Sequence, residues 1–347
     1  MKKNVTIQLI AEEAGVSTAT VSRVLASSPL VGEKTRERVQ SLIDRYQFTP
    51  NPAARSLVRS RSGMLGMLVQ DISNPYFSEM YLEAEKAAVE KDYTLLMASS
   101  LSFENEKKAL LHMRERKVEG ILMISSSIDS TQDISEVSEC ILSVQQTTPI
   151  ILINEPITGF AVPFVSASNA SGYTTAMDHL FSLGHREIAF IGGSEQNATM
   201  CLRHGAYMDA FTRRGLTPDP ALTCMLGYSH EDGCRGMMQI FASGRIPTAV
   251  ICANDVTAMG VLRACSAQRL SVPEDISLVS CDNTFISQAT YPALTSIDIC
   301  PGIQGTTAMK ALLRLIQGEE VPPVTHVPFH LIIRGSTAKA RGMSVAP

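Results

Sequence analysis

Charged residues make up only 18% of this 347-residue chain, fewer than in an average globular protein, while hydrophobic residues reach 45%. A large buried core is therefore available. No run of eighteen apolar residues occurs, so no membrane-spanning helix and no membrane partner are expected. Lys2 and Lys3 imitate the charged start of a secretory leader, but residues 4–15 contain no apolar run and Glu12-Glu13 interrupt them; a cytoplasmic protein is expected. The eight cysteines form no CxxC pair and no metal-ligand spacing, which reads as reduced, largely buried thiols. GxSxG, GxGxxG, GxxxxGKS and HExxH are all missing, so the chain is not expected to be an enzyme, and no cofactor or metal is expected. Gly192-Gly193-Ser194 is only a glycine turn, and His179 and His185 flank a helix end where they cap or pack.

What is present begins with charge asymmetry. The net charge of -4 hides a head, residues 1–62, with ten Lys/Arg and five acids (+5), on a body that carries -9. That layout suits a DNA-binding arm on a regulatory domain. Ile7, Ile10, Ala11 and Ala14 recur at helical spacing, and Gly15 ends that helix with a tight turn. Ser17 is a natural N-cap for the next helix, whose Val21, Val24 and Leu25 face a small core. A third helix follows Gly32, with Val39, Leu42, Ile43 and Tyr46 on one side. This is the pattern of a helix-turn-helix, whose second helix enters the major groove. Thr18, Ala19 and Ser22 lie at its start and Arg23 a turn further on. Arginine can grip a guanine bidentately and Ala19 can touch a thymine methyl, while Ser17 and Thr20 suit phosphates.

Residues 48–63 are polar, basic and proline-containing, and mark a boundary. Asn51 can cap, and Pro52 suits a first helical position. A helix at 52–58 is too short to stand alone in water. Arg55 beside the apolar Leu57 fits a minor-groove wedge that folds on DNA.

From Met64 onward the pattern alternates. Strands are predicted at 65–69, 94–98, 120–124, 150–153, 188–191, 249–253 and 277–280, and helices at 79–91, 104–116, 170–183, 203–213, 232–242 and 257–268. Apolar strands separated by amphipathic helices imply parallel sheets covered on both faces, here two α/β lobes. Such sheets bind ligands beyond the carboxyl ends of their strands, so a cleft between lobes is the expected effector site.

These residues resemble the LacI–GalR family of bacterial repressors along nearly the whole chain. The resemblance rests on Val5-Thr6-Ile7 with Ala14-Gly15-Val16-Ser17, Thr20 to Leu25, Thr35 to Val39, Pro50-Asn51 with Ala54 to Leu57, Ser73 to Phe77, His179-Leu180 with Leu183 to His185, Ala253-Asn254-Asp255, and Pro292 to Ile297. It implies an all-α helix-turn-helix domain (1–49), a hinge (50–62) and a two-lobed, periplasmic-binding-protein-like α/β body (63–343). The lobes would comprise 63–164 with 298–326, and 165–297 with 327–343. It implies a homodimer on double-stranded DNA at a pseudo-palindromic operator, with Thr6, Asn51 and Ala54 joining the DNA-facing set and Leu57 as the wedge. A small effector of carbohydrate type would touch Asn74, Phe77, Arg203, Tyr228, Asn254 or Asp255, and Asp282. Two cleft positions depart from the family pattern: Ser168 stands where an Asp is common, and Glu155 where an Arg is usual. The body alone would also fit a periplasmic sugar-binding protein; the basic N-terminal helices and the absence of a leader oppose that alternative.

Overall fold

The computed structural model describes residues 5–25, 28–48, 61–100 and 102–341. The hinge candidates Asn51, Ala54, Arg55 and Leu57 lie outside the described residues. The chain divides into two compact units at Ser62/Gly63. In the first unit, α1 (Ile7–Ala14) is capped by Thr6, whose Oγ1 accepts from Leu9 N, and ends at Gly15 with φ +60°. α2 (Thr18–Leu25) begins where Ser17 Oγ accepts from Thr20 N at 3.2 Å. α3 (Glu33–Tyr46) returns across both, and Tyr46 Oη donates to Glu13 on α1 at 2.6 Å. Ile10, Ala11, Ala14, Val21, Val24, Val31, Val39 and Ile43 form the core, with Leu25 and Leu42 half-buried at its edge. The apolar face of each short helix is thus used up internally, and the polar face of α2 is left to solvent.

The second unit holds two six-stranded sheets. The first, in the order β11-β5-β4-β3-β1-β2, contains β1 (Met64–Val69), β2 (Thr94–Ser99), β3 (Ile121–Met123), β4 (Ile150–Leu152), β5 (Phe164–Ala167) and β11 (Val324–Val327), all parallel. The second runs β12-β10-β9-β8-β6-β7, from β6 (Ile188–Ile191), β7 (Thr223–Cys224), β8 (Ala249–Cys252), β9 (Ser277–Cys281), β10 (Thr295–Asp298) and β12 (His330–Ile332). Here β12 alone is antiparallel. β1, β3, β4, β6 and β8 are buried along nearly their whole length, which explains their apolar sequences. Around the first sheet lie α4 (Pro75–Val89), α5 (Phe103–Glu115), α6 (Ser135–Gln145) and α12 (Pro301–Ile316). The second is accompanied by α7 (Asn169–Ser182), α8 (Ala198–Thr212), α9 (His230–Ala242), α10 (Asp255–Ala267) and α11 (Phe285–Ala289).

The chain passes between the sheets three times, after β5, after β10 and after β11. β5 and Val327 belong to the first sheet and Asp298 to the second. Helices α9 and α10 meet at Gly233 and Gly260, where a Cβ would collide with the backbone of Thr257 and of His230 respectively. His185 packs by bonding Thr248 and the Ala338 carbonyl, and His179 by bonding Thr337. All eight cysteines are free; four are buried, and Cys201 is exposed.

Candidate functional site

On the first unit, the outer surface of α2 presents Thr18, Ala19 and Arg23 to solvent, with Ser22 half-exposed. The Arg23 guanidinium has no hydrogen-bond or ion-pair partner among the described residues. Ser17 and Thr20 share a hydroxyl contact of 3.0 Å at the start of α2, and Thr6 is exposed at the start of α1.

On the second unit, a cavity of about 520 Å³ opens beyond the carboxyl ends of strands from both sheets. Asn74 and Phe77 reach it from α4, Arg203 from α8, and Tyr228, Asn254 and Asp282 from the loops around the second sheet. Asn74 also caps α4, accepting from Tyr76 N at 3.0 Å, which fixes the approach of Phe77. Asn254 likewise caps α10, accepting from Thr257 N at 2.7 Å, so it both lines the cavity and holds a helix start.

Arg203 is buried and preset. Its Nε and Nη2 donate to Asn169 Oδ1 at 3.0 and 2.6 Å, and its Nη1 donates to the Ala253 carbonyl at 2.8 Å. The ring of Tyr173 lies 5.3 Å beneath the guanidinium. Asn169 is held in turn by Glu155, whose Oε1 accepts from Asn169 Nδ2 at 2.6 Å while its Oε2 accepts from Ser166 Oγ. Glu155 lines the cavity itself and also orients the partner of Arg203. Ser168 bonds Ser171 and does not line the cavity.

Asp282 sits at φ +96°, a conformation unfavourable to a side chain. Burial pushes its carboxyl up to about 7; the nearby Asp255 carboxylate adds to this, and Arg203 opposes it. A strained, buried acid with a perturbed titration in the lining of a cavity is a candidate for a functional position.

Asp255 is a correction. It does not line the cavity, and its oxygens are already engaged. Oδ1 accepts from Ser280 and Ser296 hydroxyls at 2.6 and 3.0 Å, and Oδ2 from Thr284 N and Oγ1 at 2.7 and 2.9 Å. It ties β9, β10 and the start of α11 together, and its place as an effector contact falls. The lining residues that escaped the sequence reading include Asn169, Gln304, Asp129 and Thr199. Gln304 receives the Tyr76 hydroxyl at 3.3 Å and donates to the Ile299 carbonyl. No local motif announces any of them.

Residues 6–51 match the family of bacterial regulatory proteins of lacI type, and residues 177–337 match a periplasmic binding protein-like domain. The HTH-type transcriptional repressor CytR of Escherichia coli (strain K12) is 31% identical over 334 residues, covering 96% of each chain. The HTH-type transcriptional regulator RegA of Clostridium saccharobutylicum is also 31% identical, over 95% of this chain and 98% of its own. Among solved structures, a lac repressor dimer bound to operator and the anti-inducer ONPF superposes with a TM-score of 0.85 at 27% identity, covering 97% of this chain and all of that one. The chain belongs to the lacI family of bacterial transcriptional regulators.

Proposed function

We propose that this repressor acts as a homodimer on a pseudo-palindromic operator, and that a small carbohydrate-type effector in the cleft sets its affinity for DNA. The observation that carries the effector half is the cavity shared by the two sheets, whose volume falls in the range of about 300–1,000 Å³ usual for small-molecule sites. Arg203, Asn254, Asn74 and Asp282 offer donors and acceptors to hydroxyls, and Phe77 and Tyr228 offer aromatic faces to a sugar ring. The DNA half rests on the exposed face of α2. Thr18, Ala19, Ser22 and Arg23 read bases, while Thr6, Ser17 and Thr20 meet phosphates. Asn51, Ala54 and Arg55 belong to the hinge contact, with Leu57 as its wedge. The lac repressor dimer on its operator supports the two-fold arrangement, since half-sites mirror protein symmetry. The protein works at the chromosome, in the cytoplasm, and catalyses no reaction.

Selection from a randomised duplex pool with the full chain tests the first half; an inverted repeat is expected, and a pool without enrichment would remove it. Titrating a panel of mono- and disaccharides and nucleosides into the selected complex tests the second. At least one compound should shift operator affinity tenfold or more, and a panel without effect would remove the carbohydrate effector.

A further inference from the structure

One contact at the cavity joins the two lobes by a route separate from the Arg203 cluster. Asp129 lies on the loop after β3, in the first lobe, and lines the cavity. Its carboxylate reaches across to the N-terminus of α8 in the second lobe. Oδ1 accepts from Thr199 N at 2.8 Å and Thr199 Oγ1 at 2.9 Å, and Oδ2 accepts from Asn197 Nδ2 at 2.8 Å. Backbone bonds run beside it, from Ala198 N to the Asp129 carbonyl at 3.2 Å and from Thr131 N to the Gln196 carbonyl at 3.0 Å.

Both sides of this contact are built. The loop carrying Asp129 is anchored by Glu106, a buried carboxylate that accepts from Ser125 Oγ at 2.7 Å and from Ser126 N and Oγ at 3.0 and 2.9 Å. Asn154 fixes the same loop from the segment after β4, through Ser125 N and its carbonyl. On the other side, Asn197 is the N-cap of α8, its Oδ1 accepting from Met200 N at 2.8 Å. Asn197 cannot turn its amide round without losing that cap, so its Nδ2 must find an acceptor outside the helix. A carboxylate is the matching group, because a helix start presents unpaired N–H donors and positive partial charge.

We infer that Asp129 is a positioning residue for the effector site: it caps α8 from the opposite lobe and so holds the cleft closed over the ligand. Thr199 and Arg203 stand four residues apart, on one face of α8. The grip of Asp129 on the first therefore sets where the second enters the cavity. Effector contacts and lobe closure become one event on one helix, which is the coupling a ligand needs to shift a two-state equilibrium. This inference rests on the effector reading above, and its test needs no effector.

The full chain is studied as Asp129→Ala, Thr199→Val and Glu155→Gln by amide hydrogen exchange and small-angle scattering. The decisive amide is Thr131, whose acceptor lies in the other lobe and which makes no bond to the Asp129 side chain. Asp129→Ala should speed its exchange at least tenfold and raise the radius of gyration, with strands β3 and β8 still protected. Thr199→Val keeps the amide and loses the hydroxyl, and should show a smaller increase. Glu155→Gln should leave Thr131 unchanged. Faster exchange confined to Ala198 and Thr199, with unaltered Thr131 and unaltered scattering, would reduce Asp129 to a local cap and overturn the inference. Global loss of protection in both Asp129→Ala and Thr199→Val would overturn it too, by showing a folding role. Either failure leaves the effector reading to its own operator and ligand titrations.

Discussion

Replacing Asp282 by asparagine separates the cost of this site from its use. In the unfolded chain an aspartate titrates near about 3.9, while burial lifts Asp282 to about 7. Between those values the fold keeps a proton that the unfolded chain has released. Stability is therefore greatest at acid pH and falls as pH rises through about 7. A gap of about three pH units corresponds to roughly 4 kcal/mol at about 1.4 kcal/mol per unit. Asparagine keeps the shape, tolerates positive φ and carries no charge. Asp282→Asn should thus raise the melting temperature at pH 8.5 and leave it unchanged near pH 4. At about 2 °C per kcal/mol for a body of this size, the rise is roughly 8 °C. Scanning calorimetry across that range reads both ends. Equal effects at the two pH values, or a lower melting temperature at pH 8.5, would refute the claim that a buried charge is being held against desolvation.

Other perturbations test other parts of the structure. Arg203→Ala strands the Asn169 and Ala253 acceptors, costing about 1–3 kcal/mol for each acceptor left unsatisfied; denaturant titration should show this loss, and an active effector should no longer alter operator affinity. Gly260→Ala drives a Cβ into the His230 carbonyl and should cost at least about 1–3 kcal/mol by the same titration, the scale of an overpacked core. Leu57→Ala should weaken operator binding by roughly 1–3 kcal/mol, the scale of one mismatched base pair, and reduce the bend seen by gel mobility.

The sequence was most readable where local rules decide. Gly15 with Ser17 marks the turn, and α2 begins within one residue of that signal. Seven strands were placed nearly to the residue; six are buried along nearly their whole length, where burial on both faces leaves a largely apolar signature, while β2 at the sheet edge is partly exposed. The strands β5, β7, β10, β11 and β12 were missed. They are two to four residues long and mixed in polarity, as in Phe164-Val165-Ser166-Ala167. Their existence depends on a neighbour to pair with. Helix α12 was missed as well, although Pro301 at its first turn and Met309, Leu312 and Leu313 on its buried face are regular signals.

The cleft divides the same way. Asn74, Phe77, Arg203, Tyr228, Asn254 and Asp282 were proposed from family motifs, and the fold gathers them around one cavity. Asp255 could not be told from Asn254 in sequence; only the positions of Ser280, Thr284 and Ser296 show that its oxygens are taken. Asp129 and Thr199 are seventy residues apart and share no motif. Their pairing is a property of two lobes meeting, which no window along the chain contains.

Base reading by α2 depends most directly on Arg23. The measurement is the affinity of the full chain and of Arg23→Ala for the selected operator and for each single-base variant of it, at one fixed salt concentration. Arg23→Ala should lose about 1–3 kcal/mol on the parent operator and lose discrimination at one guanine in each half-site, while other positions keep theirs. Unchanged affinity, or an equal loss on every sequence, would show that α2 does not read bases through Arg23 and would contradict the account.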